Sequence, residues 1–140
     1  GSFTAGKMGG KHSKKNLLAF LYAMRAFGIL WILYMPTTDF VVYVFAGWMG
    51  LFWLGTVPLT QGLIAQIYGL RYAATLSGMV FLGHQLGSFV GVYLGGRVQA
   101  ITGSYDLVWW MGIALALIAA ALCLPVREKP LALPASAVSA

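Results

Sequence analysis

Residues 105–124 read YDLVWWMGIALALIAAALCL: after Asp106 no charge interrupts the run, and Pro125 closes it. About 20 apolar residues are what a helix needs to cross the hydrocarbon core of a bilayer, so this segment makes lipid the solvent. Similar runs recur along nearly the whole chain, which separates them from a cleaved signal or a single anchor. Of the 140 residues, 60% are hydrophobic and 9% charged, whereas a soluble domain carries about a quarter charged. The single cysteine, Cys123, lies inside the quoted run; it excludes an intramolecular disulfide and is read as packing.

Outward from this segment the pattern predicts an all-α membrane protein with four transmembrane helices. The first spans residues 16–35 and is stopped by Pro36. The second spans 40–67, opened by Thr37, Thr38 and Asp39. It is longer than one straight crossing requires, and Pro58, which lacks a backbone N–H, predicts a hinge or bend near residues 55–58. The third spans 72–98 and the fourth 105–124. Residues 1–15 read as a basic loop at headgroup level. Residues 125–140, rich in Pro, Ala and Ser, read as a disordered tail.

Four crossings put both ends on one side. Lys7, Lys11, Lys14, Lys15, Arg71, Arg127 and Lys129 all fall on that side, seven of the nine basic residues, so the positive-inside rule makes it cytoplasmic. The net charge of +6 then reports orientation and contact with anionic lipid, not nucleic-acid binding.

Residues 83–96, GHQLGSFVGVYLGG, place His84 and Gln85 in a glycine ladder of Gly83, Gly87, Gly91 and Gly95. At 100° per residue these glycines and Ser88 share a small-residue face on which another helix can pack closely. An imidazole and an amide in hydrocarbon need partners. Either they bond across to a neighbouring helix, or they line a polar pathway for a solute or a proton. On the second helix Phe45, Trp48, Phe52, Thr56 and Thr60 share a face that suits either core packing or a solute-facing wall. Arg25 lies halfway along the first helix, and no acid of the chain is predicted at its depth. Its partner is therefore backbone carbonyls and headgroups, or a carboxylate elsewhere in a larger protein.

The basic opening segment, with Gly6, Lys7, Gly10, Lys11, Lys14 and Lys15, resembles the Gly-rich cytoplasmic loop motif of the major facilitator superfamily, with glycine at the motif's acidic position. GHQLGSFVGVYLGG followed by TGSYDLVWW is similar to span eleven, its outer loop and the start of span twelve in bacterial monocarboxylate-transporter-like members. The resemblance implies that the four helices correspond to spans nine to twelve, the C-terminal part of a twelve-helix carrier in the bacterial inner membrane. It also implies alternating access, a small organic solute of the monocarboxylate type with or without proton coupling, and the N-terminal spans and the lipid bilayer as partners.

Two other readings are a membrane scaffold or assembly subunit, in which the glycine ladder mediates helix association, and a four-helix small multidrug transporter acting as a dimer. The second needs a carboxylate within the membrane, and the sequence places none there. No metal-ligand cluster, nucleophile and base pair or phosphate-cradling loop is present, so neither an enzyme, nor a cofactor, nor a metal site is expected.

Overall fold

The structure, a computed structural model, describes residues 1–131. Within them all regular structure is helical: α1 (Ser2–Gly9), α2 (Lys14–Tyr34), α3 (Asp39–Leu54), α4 (Thr56–Tyr68), α5 (Leu70–Thr102) and α6 (Asp106–Cys123). Three stretches are long and apolar enough to cross a membrane: α2, the 30-residue unit of α3 and α4, and α6. The 33 residues of α5 extend about 50 Å at 1.5 Å each. Its length is ample, but His84, Gln85, two serines and the glycines dilute its apolar character below that of the other three.

Local chemistry explains the boundaries. Ser13 caps α2 by accepting from the Asn16 N–H, and Thr38 caps α3 by accepting from the Val41 N–H, with Asp39 in the first turn. Gly69 (φ 78°) joins α4 to α5, and Gly103 (φ 71°) ends α5 in the left-handed conformation that glycine adopts without steric cost. No proline lies between these two glycines, and the intervening glycines keep helical dihedrals, so α5 runs beyond both ends of the expected 72–98.

The predicted bend appears as a one-residue break in an otherwise continuous helical stretch, with Gly55 still at right-handed helical dihedrals (φ −67°, ψ −22°). α3 ends at Leu54, Gly55 is a turn and α4 begins at Thr56. Pro58 thereby falls in the first turn of a new helix, where a missing N–H would have had no intrahelical partner anyway.

At the centre stands α2, packed against α3, α4 and, most extensively, α6. One cluster joins Leu18 and Leu21 of α2, Leu59 of α4 and Ala5 of α1; a second joins Ala26 and Ile29 of α2 to Ile113 of α6. Residues 1–15, expected as a loop, contain α1, which docks through its small face: Gly9 lies so close to Leu59 that a Cβ there would stand 2.7 Å from Leu59 Cδ2. By contrast α5 packs mainly on α4, and Phe89, Val92 and Tyr93 are more than half exposed. Such a surface calls for cover by lipid or by other helices.

The tail is tied down as far as it is described. Lys14 Nζ donates to Gln66 Oε1 (2.6 Å), Gln66 Nε2 to the Glu128 carbonyl (2.9 Å), Lys15 Nζ to the Leu124 carbonyl (3.0 Å) and the Leu131 N–H to the Ile67 carbonyl (2.9 Å). The expected disorder of the remaining tail, residues 132–140, falls outside the described residues.

Candidate functional site

Interrupting a helix leaves carbonyls without their usual donors. The partner that Pro58 cannot supply belongs to the Leu54 carbonyl, four residues back, and this oxygen accepts instead from Ser2 Oγ of α1 at 2.8 Å. The two preceding carbonyls meet Arg25. Its Nη2 donates to the Trp53 carbonyl (2.8 Å), the Phe52 carbonyl (3.3 Å) and Thr56 Oγ1 (3.1 Å). Of the two kinds of partner that the sequence left open for Arg25, the structure supplies backbone carbonyls. The guanidinium also sits over the rings of Trp53, 4.7 Å from its centroid, and Tyr22, at 5.2 Å. A cation at the C-terminal end of α3 complements the negative end of its dipole. Arg25 Nε is buried and bonds to nothing among the described residues.

Around this point lies a cavity of about 230 Å³, walled by Tyr22 and Arg25 of α2, Trp53 of α3, Thr56, Thr60 and Gln61 of α4, and Ser77, Phe81 and His84 of α5. Its polar groups partly satisfy one another. Thr56 Oγ1 donates to the Trp53 carbonyl and Thr60 Oγ1 to the Thr56 carbonyl, both at 2.8 Å, while Ser77 Oγ donates to Gln61 Oε1 across the α4–α5 contact. The His84 ring stands 6.4 Å from that of Phe81.

Of the residues singled out in the sequence, Arg25, Thr56, Thr60 and His84 thus meet in one place, beside Pro58. Trp48 and Phe52 do not line this cavity. Trp48 Nε1 donates to the Met24 carbonyl of α2 (3.0 Å), and its ring covers Gly28 and lies 4.9 Å from Phe52. The break at Gly55 divides the aromatic stripe: Phe45, Trp48 and Phe52, all partly buried, pack against α2 and α6, and Thr56 and Thr60 turn to the cavity. Gln85 and Ser88 are exposed, Ser88 Oγ donating to the His84 carbonyl of its own helix (2.9 Å). Tyr22 was not anticipated; its signal was its position one turn before Arg25, on the same face of α2.

In the ladder, Gly83, Gly87 and Gly91 have nothing within 4 Å of where a Cβ would stand, while Gly95 lies 3.7 Å from Val108 of α6 by the same measure. An apolar groove of about 490 Å³ runs between α5 and α6, with Gly87, Gly91, Gly95 and Gly112 in its walls. In the basic segment, Gly6 has open space around it, Gly10 caps α1, Lys7 lies in its last turn, and Lys11 is exposed. Comparison of the chain with protein-family models, with curated proteins and with solved structures gives no match.

Proposed function

We propose that this chain forms part of a secondary transporter of the major facilitator type, and that the cavity among α2, α4 and α5 holds a small organic solute, a monocarboxylate-type anion. The observation that carries this reading is the convergence of Arg25, Thr56, Thr60, Gln61, Ser77 and His84 from three helices on one cavity within an otherwise apolar bundle. Polar groups in hydrocarbon are costly unless partnered, and charged ones mark solute or ion pathways. With about 30 Å³ of liquid per water molecule, 230 Å³ accommodates a solute of a few heavy atoms with some water.

The helix break supports the same reading. Its two ends present opposite dipoles: Arg25 covers the negative end of α3, and Thr56 and Val57 bring the positive end of α4 to the cavity wall, which favours an anion there. The His84 imidazole, with one ring nitrogen that donates and one that accepts, supplies a group that can move a proton with the solute. On this reading α5 is the fourth span, its glycine face is covered by the remaining spans of the carrier, and the termini lie in the cytoplasm of a bacterium. Solute binding drives alternating access to the extent that it favours one of two states.

The test compares uptake of radiolabelled lactate with the amount of folded protein in the membrane for His84→Ala, Gln85→Ala and the parent. His84→Ala lowers uptake more than it lowers folded protein, and more than Gln85→Ala does. Unchanged uptake at normal expression returns His84 to a packing role. A second reading, a scaffold that gathers other helices, is favoured by the open glycine face of α5; absence of uptake by the parent together with co-purifying membrane subunits selects it.

A further inference from the structure

We propose that Arg25 is a switch between two sets of acceptors: it closes the end of α3 at the Gly55 break, and a carboxylate in the cavity draws it away and frees the α3–α4 angle. The inference rests on the reading of the cavity as a solute site, and adds how occupancy would be communicated to the helix break.

The present bonding of Arg25 is lopsided. A guanidinium has five N–H donors in a rigid fork. Here all three observed bonds use Nη2, whose two hydrogens are shared among the Phe52 carbonyl, the Trp53 carbonyl and Thr56 Oγ1. Nε, though buried, has no partner among the described residues. All three acceptors are neutral. A carboxylate offers two charged oxygens at the spacing of the fork, and such bidentate charge-assisted pairs are roughly twice as strong per bond as neutral ones. The exchange also gives work to donors that now have none.

Withdrawal of Arg25 acts on the break specifically. The Leu54 carbonyl keeps Ser2 Oγ, and the Trp53 carbonyl keeps Thr56 Oγ1, whereas the Phe52 carbonyl loses the guanidinium and α2 loses its hydrogen bonds to the junction. Gly55 is left as a flexible joint three residues before Pro58, which cannot donate to the backbone ladder. The guanidinium need not leave the site, because Tyr22 stays beside it on α2.

The experiment uses the full chain in phospholipid nanodiscs, with Cys123→Ser and spin labels at Tyr43→Cys and Tyr68→Cys, both exposed positions that flank the break and would be about 38 Å apart on a straight helix. Pulsed dipolar spectroscopy reads their distance, and saturation-transfer NMR on the methyl protons reads binding of sodium acetate, with acetamide as the neutral isostere. Acetate, and not acetamide, shifts the distance distribution toward that of Arg25→Gln, which differs from the parent without any solute and no longer responds to acetate. Acetate binding with an unmoved distribution, or an Arg25→Gln distribution identical to the parent, overturns the switch and leaves the cavity reading standing. Absence of acetate binding removes both. Should Arg25→Gln fail to insert, Arg25→Lys serves: it keeps the charge, loses the two-pronged pair, and shows weaker acetate binding with a distribution already displaced; a parent-like distribution refutes the switch.

Discussion

Gly28→Ala tests how α2 and α3 are locked together. A Cβ at Gly28 would stand 2.7 Å from Trp48 Cδ1 and 2.8 Å from Trp48 Nε1, whereas carbon atoms pack best at about 3.5–4.0 Å, so the indole has to retreat by about 1 Å. It has little room, being bonded through Nε1 to the Met24 carbonyl at 3.0 Å and packed 4.9 Å from Phe52 and 6.2 Å from Phe27. Overpacking of this kind costs about 1–3 kcal/mol, and a lost interhelical hydrogen bond in a membrane protein about 0.6 kcal/mol, at most about 1.7. The sum, about 2–4 kcal/mol, is a large part of a typical total stability. Reversible unfolding in mixed micelles, followed by thiol labelling of half-buried Cys123, measures it. Trp48→Phe, which removes the N–H and keeps most of the ring, costs only about 1 kcal/mol. In Gly28→Ala/Trp48→Ala the clash is relieved, so the double variant is more stable than the summed single effects. Were Gly28→Ala within about 0.5 kcal/mol of the parent, or the two effects additive, Trp48 would not be the lock, and a solute-facing role would regain its claim.

Two other outcomes follow from the geometry. Burial tends to raise the Glu128 carboxyl, but the Lys15 N–H (2.7 Å), the Ser13 hydroxyl, the Lys14 N–H and the Lys14 charge outweigh it and hold the group below its ordinary value of 4.5. A depressed carboxylate contributes stability that is complete above the unfolded value and lost as the pH falls through the folded one, so melting temperatures measured from about pH 6 to about pH 3 decline for the parent and decline less for Glu128→Gln, which starts lower. A Cβ at Gly91 would meet nothing within 4 Å in this chain, and the groove beside it has room for a longer side chain, so Gly91→Leu leaves the unfolding midpoint in micelles unchanged; on the transporter reading it abolishes lactate uptake if another helix covers that face, and normal uptake would show that lipid covers it.

Three helices fit to cross a membrane were legible because apolar runs of that length have few alternatives, and the break was legible because Pro58 cannot donate, whereas the fourth expected span, α5, is helical but less apolar than the other three. Helix α1 was missed because glycine and lysine suggested a loop; the overlooked signal is Ala5 and Gly9, small residues one turn apart that let the helix settle onto Leu59. Arg25 was recognisable as an anomaly from its depth, but its acceptors arise only where two helix ends meet in space. Periodicity put Phe45, Trp48, Phe52 and Thr56 on one continuous face. It could not say that the turn at Gly55 sends the aromatic part against α2 and α6 and the hydroxyl part into the cavity, since a helical wheel assumes an unbroken axis.

A joint is useful only if one arm is held more firmly than the other, and the hydrogen bonds are distributed in that way. The far end of α4 is fastened through Gln66 to Lys14 and Glu128, and through the Ile67 carbonyl to Leu131, while Lys15 binds the end of α6 beside them. These contacts join α2, α4, α6 and the tail into one block at the end of the bundle that carries Lys14 and Lys15. Among the described residues α3 has no hydrogen bond of this kind at its outer end: further along, Trp48 bonds Met24 and Phe45 meets Trp109 edge to face, and at the break Ser2 holds the Leu54 carbonyl while Arg25 holds those of Phe52 and Trp53. Bending at Gly55 therefore displaces α3 against a fixed α4. Of these holds Arg25 is the one that lines the cavity, so it is the one whose partner depends on what the cavity contains.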